Sequence, residues 1–468
     1  MRTFLVSIAA AAAAVLVVPS SMHADNSPPT FYRDVLPILQ NNCQSCHRPG
    51  EVAPMALISY EDARPWARAI KTKTMANQMP PWFADPEFGP FSNERRLTSR
   101  QIETLATWAD AGAPAGDPKD APPARHFENG WNIKPDIVVE MPKAFEVPAT
   151  GTINYKFIVV KTNFPQDMWV VAAEMRPGNP AVLHHGRVTV RPPGSAWMKE
   201  AIPGEAYERE TQSNIIGRGT ADEDNGILGK FNPGLGAQRF DQQGGAKFVP
   251  KGSDLVYELH YTAIGKPTSD ATKVGLVLAK EPPKKRYSFT AGPTAGNLAI
   301  PPGDANAEVV SETTLREAGQ LVYAQPHMHL RGKDFELQVI APGEEKKTVL
   351  RGRFDFEWQI GYELAEPLAL PKGTKLRFIT HFDNSPGNRF NPDPSKKIVF
   401  GPQNWDEMSN CFIGVLFDRD VNIGRAFARS GPSLLPRGDS GPTLAAADRA
   451  ASLAVPAASP GGNSIEQR

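Results

Sequence analysis

The sequence predicts a small all-α domain followed by two all-β sandwich domains in tandem. Three observations predict it. At 468 residues the chain amounts to roughly three units at about 150 residues each, and is too long for one compact core. Its 45 prolines and 39 glycines call for many short elements joined by turns, as in β-sandwiches. The apolar period also changes along the chain, from helical spacing over 29–114 to alternation from about Asp136 onward.

Residues 1–24 read as a secretory signal, with Arg2 as its charged end, Phe4 to Val18 as its apolar run and Met22-His23-Ala24 as the cleavage site before Asp25. The run is shorter than the ~20 residues needed to span a bilayer. With no cysteine ahead of Cys43 to carry a lipid, the expectation is an exported protein, periplasmic or secreted, free of the membrane after cleavage. Lys+Arg and Asp+Glu balance at 51 each. That excludes the basic footprint of a nucleic-acid partner.

In the helical part, Thr30 is expected to cap a short helix carrying Val35, Leu36 and Leu39. Ser59 with Asp62 opens a second helix through Trp66 and Ile70, and Thr98 with Gln101 opens a third that Gly112 ends. The stretch "GAPAGDPKDAPPARH" has no apolar period and is read as part of a linker over 115–135. Strands are expected at Tyr155 to Val160, Met168 to Ala173, Arg187 to Val190, Leu255 to Thr262 and Lys273 to Ala279. These make a first β domain over 136–283, the break "EPPKKR" closes it, and a second follows over 284–422. The tail, 423–468, is rich in Ala, Pro, Ser and Gly after Ala428 and is expected to be disordered.

"CQSCH", Cys43 to His47, is the strongest short signal. Two thiols three apart can form thioethers to both vinyl groups of one haem, and the adjacent histidine then falls on the iron. A zinc knuckle would want a second ligand pair nearby, and a redox pair a βαβ setting; neither is present. The helical part is therefore expected to be a cytochrome c-like domain with His47 as proximal ligand. Met55, Met75 and Met79 are candidates for the opposite face. Met79 is favoured, because the prolines of "QMPPW" stiffen its backbone and Trp82 offers an aromatic wall. A His/Met haem has a relatively high potential and no open position, so it transfers electrons. The third cysteine, Cys411, sits in a strand-like apolar run and is expected to be an inert core thiol.

Six of the nine histidines, His184, His185, His260, His327, His329 and His381, fall in the β half. His327 and His329 alternate with Met328, so an extended strand points both to one face, with Pro326 marking an edge or the start of the strand. His260 lies mid-strand, where an imidazole needs a partner that a metal can supply. His184 and His185 are adjacent and need a bulge to share a ligand, for which Gly186 is well placed. Imidazole-rich sites suit Cu, Zn, Fe or Ni; a nearby methionine would favour copper.

The motifs "VLHHGRV", "ELHYT", "PHMHLRGK" and "WDEMSN" occur in the order found in the copper type II, ascorbate-dependent monooxygenases, and over roughly 136–422 the chain resembles that family, which includes the peptidylglycine α-hydroxylating and dopamine β-monooxygenases. The resemblance implies two jelly-roll-like sandwiches with two copper ions facing each other across a solvent-filled cleft. His184, His185 and His260 would hold an electron-storing copper, and His327, His329 and Met408 the copper that binds oxygen. Where the peptide-amidating members hold a substrate carboxylate with Arg, Asn and Tyr, this chain has Gln325, Asn410 and Phe412. A peptide C-terminus is thus a poor substrate, and an uncharged or differently anchored molecule fits better. His381 has no counterpart among the ligands and is expected to be structural.

The function these readings imply is a copper monooxygenase that hydroxylates a C–H bond of a small organic substrate with O2, re-reduced through its own c-type haem, with ascorbate or an electron-donor protein as the outside reductant. Two alternatives share the ligands. One is a copper and haem dehydrogenase passing substrate electrons out through the haem; the other is a non-catalytic copper-binding electron-transfer protein.

Overall fold

The computed structural model describes residues 27–51, 53–127, 130–209, 211–216 and 226–428. The signal expected over 1–24 and the tail beyond 428 lie outside them. Among the described residues no helix is long and apolar enough to cross a membrane.

The protein is mostly β-sheet. Strands such as Lys156–Val160 and Asp254–Tyr261 are apolar nearly throughout and buried on both faces, which suits strands inside packed layers. One nine-stranded sheet runs through both β units. Its first half holds Ile137–Glu140, Lys273–Leu278, Met168–Arg176 and Gly245–Val249; its second holds Lys285–Thr294, Asn410–Asp418, Gly319–His327 and Tyr362–Leu370. The halves join where Gly245–Val249 runs parallel to Lys285–Thr294, with Gly245 opposite Lys285. The two units expected to be separate sandwiches, divided at 283, therefore share a sheet.

Each half is covered by a second layer. A five-stranded sheet, in the order Ala206–Glu208, Lys156–Val160, Asp254–Tyr261, Leu183–Arg191, Ile227–Phe231, packs Val188, Leu255 and Tyr257 with Val170, Met175 and Leu276 in one core. A four-stranded sheet, in the order Ala307–Thr314, Lys375–Phe382, Gly332–Ile340, Lys347–Arg353, packs Leu337, Phe378 and Phe382 with Leu321, Ile413 and Val415 in another.

The helical part forms around Leu39, Leu105 and Trp108, all fully buried. Both capping boxes are present, Ser59 with Asp62 and Thr98 with Gln101. Thr30 makes no side-chain cap; instead Asp34 accepts the Thr30 N–H at 2.7 Å. Pro65 breaks the second expected helix into Tyr60–Ala63, a 3-10 turn at Arg64–Trp66 and Ala67–Met75, because proline cannot continue the hydrogen-bond ladder.

Three expected boundaries move. Residues 80–96 lie inside the span read as helical, yet they strap across the second β unit, where Ala84 bridges Gly352 and Phe91 bridges Leu364. Trp82 is buried there, edge-on to Tyr362 with ring centroids 4.9 Å apart, so it does not serve as a wall for the helical part. Trp82→Ala should cost about 3 kcal/mol of stability, as for a large buried ring, measured by urea unfolding. The linker is docked: Arg48 donates to the Gly130 carbonyl and to Asn132 Oδ1, and Trp131 and Ile133 are buried. The ordered chain also runs past 422, through a 3-10 turn at Ile423–Arg425 to a bridge between Leu315 and Phe427.

Candidate metal centre

The Leu183–Arg191 strand pairs with Asp254–Tyr261, His185 lying opposite His260 and Leu183 opposite Tyr261. His184 is the extra residue between those pairs. This bulge turns adjacent histidines to one side, which a regular strand cannot do. The expected bulge exists, but at His184; Gly186 matters for another reason, since a Cβ there would meet the Met175 Cε at 2.7 Å. One ring nitrogen from each of His184, His185 and His260 lies within 4.8 Å of the others. The Nδ1 atoms of His184 and His185 are 3.2 Å apart, about the separation of two ligands that each stand ~2.0 Å from one ion at a tetrahedral angle. His260 Nδ1 is buried without a hydrogen-bond partner among the described residues. Tyr155 stacks on His260 with centroids 4.5 Å apart and sets its hydroxyl 2.8 Å from His185 Nε2.

Burial pushes His260 down to about 3, and it lowers His184 and His185 as well. Neutral imidazoles are the form a metal takes. His329 is also pushed down to about 3 and His327 to about 4, again chiefly by burial. The sign for stability follows from proton counts. Below about 6.5 the unfolded chain binds protons these rings refuse in the fold, so stability falls with pH until the folded values are reached. Metal-free protein should therefore lose melting temperature steadily from pH 6.5 to about pH 4. A flat profile across that window would contradict the buried, neutral assignment.

The second pair is held differently from the expectation. The strand Gly319–His327 ends at His327, so His329 does not share a face through strand alternation. Its position comes from Glu407, whose Oε2 accepts the His329 N–H at 2.8 Å and whose Oε1 accepts the Arg331 N–H at 2.6 Å. The two rings end 5.2 Å apart and nearly perpendicular. Gln359 Oε1 stands 2.6 Å from His327 Nδ1, and the Asp406 carbonyl 3.3 Å from His329 Nδ1. With both Nδ1 atoms engaged, both Nε2 atoms remain as ligands. Met408 directly follows Glu407, and its sulfur lies 3.6 Å from Asn410 Nδ2. Asn410 pairs with His327 across the sheet, which brings the methionine to the end of the sheet where the histidines sit. Asn410 Oδ1 is buried without a partner among the described residues.

The resemblance implied a solvent-filled cleft between the two histidine sets; His184, His185, His327 and Met408 are each half-buried. His184 lies 5.7 Å from the Phe356 ring of the second unit, and His329 and His260 are buried. Lys230 crosses the same space. In the first unit it sits opposite Arg187, on the strand face that carries His185, His260 and Glu258. Its Nζ donates to Gln325 Oε1 at 2.8 Å and lies 3.8 Å over the Phe412 ring. Burial pushes it down to about 7. Gln325 also donates to the Gln359 carbonyl, so both ends of its amide are engaged. Two of the residues standing in for the family's carboxylate anchor are thereby taken up by a lysine from the other unit.

In the CQSCH turn the His47 and Cys46 N–H groups both donate to the Cys43 carbonyl. His47 Nδ1 lies 3.3 Å from the Met55 carbonyl, which leaves Nε2 for an iron and puts Met55 on the His47 side. Burial and Cys46 push the Cys43 thiol up to about 12. Met79 is half-buried and Met75 exposed. His381 pairs with Asp334 at 2.6 Å and Glu308 at 3.5 Å, a structural setting. Cys411 is fully buried in the core of the second unit.

Sequence reasoning missed Tyr155, Lys230, Gln359 and Glu407. Glu407 carried a signal, an acid inside "WDEMSN" next to the candidate sulfur. Lys230 carried a weaker one, a lysine within the apolar run "ILGKF".

No protein-family model matches the chain, and no curated protein sequence is similar to it. Among solved structures, the infectious bursal disease virus Gx strain is 8% identical, covering 62% of this chain and 74% of that one at a TM-score of 0.17. PNGF-II is 12% identical over 60% of this chain and 65% of that one, at 0.27. The cowpea mosaic virus top component is 7% identical over 61% and 93%, at 0.24. At these TM-scores the likenesses bear on neither fold nor function.

Proposed function

We propose that the protein is a periplasmic or secreted copper monooxygenase that hydroxylates a C–H bond of a small organic substrate with O2, re-reduced through its own c-type haem. On this reading it combines a cytochrome c-like domain with two jelly-roll-like β units akin to the copper type II, ascorbate-dependent monooxygenases. One observation carries it: a bulge turns His184 and His185, both half-buried, together onto the buried His260, three imidazoles with nitrogens within 4.8 Å. The donor set fits a borderline metal ion, and the unpartnered His260 Nδ1 is the atom such an ion would satisfy.

His184, His185 and His260 would hold one copper, and His327, His329 and Met408 a second. Bound copper supplies one-electron redox chemistry toward O2. The rest falls to the chain's own groups. Gln359 and the Asp406 carbonyl orient the rings of the second site. Phe356 and Phe412 lie against His184 and His327. Asn410 Oδ1, buried and free beside the Met408 sulfur, accepts a hydrogen bond from a substrate hydroxyl or N–H. Ascorbate or an electron-donor protein would be the outside reductant.

Metal analysis with copper EPR on haem-loaded protein tests the reading, and two copper ions per haem is the expected result. Label from O2 in the product separates a monooxygenase from a dehydrogenase. Cys43→Ser/Cys46→Ser should abolish the haem band that survives a denaturing gel, leaving copper stoichiometry unchanged. Lys230→Met should lower turnover about tenfold if its tie to Gln325 sets the approach of the two sites, with copper content unaltered.

A further inference from the structure

The CQSCH turn lies against the first β unit. Glu51 pairs with Arg176 at 2.6 Å and with Arg48 at 2.8 Å, and these groups are largely out of water. Arg48 also donates to Asn132, which in turn donates to Glu174. Charged pairs so desolvated hold a fixed geometry far better than surface pairs do. The turn is therefore clamped to the strand Met168–Arg176.

Between turn and strand is a cavity of about 240 Å³. Cys46 lines it on the helical side, Met175, Phe231 and Asn232 on the β side. Asn232 on this wall is 6% exposed, and among the described residues its Oδ1 has no hydrogen-bond partner. The wall leads directly to the three histidines. The Met175 methyl touches Gly186, where an added Cβ would stand 2.7 Å from it, and Phe231 pairs with the same glycine. Gly186 follows His185. Apart from Arg95, from the 80–96 strap, the cavity is lined by the CQSCH turn, the docked linker and the first β unit.

We propose that this cavity seats the edge of the porphyrin carried by Cys46, and that electrons enter the protein's copper pair at the His184/His185/His260 site, across Met175 and Gly186. The inference rests on the haem and copper reading above and adds to it the seat and the order of reduction. Met175 and Gly186 would bridge the transfer of one electron from ferrous haem iron to a cupric ion at the three histidines. Iron is left ferric and copper cuprous, and no bond or proton changes place.

The seat is tested without copper. Hydrogen exchange followed by mass spectrometry compares the full haem-bearing chain with its Cys43→Ser/Cys46→Ser variant. Slower exchange over 174–177 and 231–237 with haem attached is expected; slowing confined to the helical part overturns the seat. Since the double variant can lose its own fold, a second measurement uses haem-bearing chains only. Asn232→Asp puts a negative charge on the wall and should lower the haem midpoint potential; an unchanged potential overturns the seat.

The order of reduction is tested by mixing ferrous-haem, copper-free chain anaerobically with cupric ion and following loss of the haem α-band. His185→Ala and Met175→Ala should slow that loss at least tenfold, and His327→Ala should not. Equal rates in all chains, or slowing by His327→Ala, overturn the route through Met175. Because the seat measurements need no copper, their failure is separable from failure of the copper reading, which metal analysis reports.

Discussion

Met408→Ala is expected to lower hydroxylation by more than about 100-fold, beyond what loss of an outer-shell partner costs a metal site. On the proposed reading the sulfur would be the soft donor that distinguishes the His327/His329 pair from a plain imidazole site. It arrives on the loop that Glu407 ties to the backbone of His329. Substrate-dependent oxygen uptake and labelled product from O2 are the measurements, with metal analysis run beside them. The His184/His185/His260 site should keep its copper, since that cluster already offers three imidazole nitrogens within 4.8 Å of one another. Full hydroxylation in the variant would take Met408 out of the centre.

Glu407→Ala is expected to have the largest effect on stability, about 3–5 kcal/mol, from two buried N–H groups left unmet; burial pushes the Glu407 carboxyl up to about 8, so the loss is of acceptors more than of a charge. Glu407 is fully buried, and its two oxygens satisfy the N–H groups of His329 and Arg331. Arg331, itself 1% exposed, donates onward to Asn384 and to the Trp405 carbonyl. Alanine strands two backbone donors in the interior, at roughly 1–3 kcal/mol for each unmet group. Glu407→Gln keeps one acceptor oxygen and should cost about half as much. Urea unfolding of metal-free protein gives both numbers. A loss below about 1 kcal/mol in the alanine variant would mean that the donors find other partners.

How much of this was legible in the sequence depends on how local each signal is. Ser59 with Asp62 and Thr98 with Gln101 were readable because a capping box closes within four residues. The strands at 156–160 and 254–261 were readable from apolar runs of the right length. His184, His185 and His260 were readable as candidates, yet the bulge that unites them was misplaced by two residues, because it is a matter of register against a strand some seventy positions away. Trp82 misled: beside Met79 it looked like a haem wall, whereas its partners are Phe91 and Tyr362. His329 was assigned to the right neighbourhood for the wrong reason, since a buried glutamate holds it and strand alternation does not.

The sequence by itself determined the alternation of element types, the two capped helices, the C-x-x-C-H turn and the identity of nearly every candidate ligand. These are carried by spacings of two to four residues, which backbone geometry alone interprets. Only the tertiary structure decided that the β units share a sheet, that the linker is docked, and that Lys230 reaches Gln325, 95 positions away. Such contacts arise from the packing of one layer on another, where burial and unmet hydrogen bonds select among neighbours that no local pattern distinguishes.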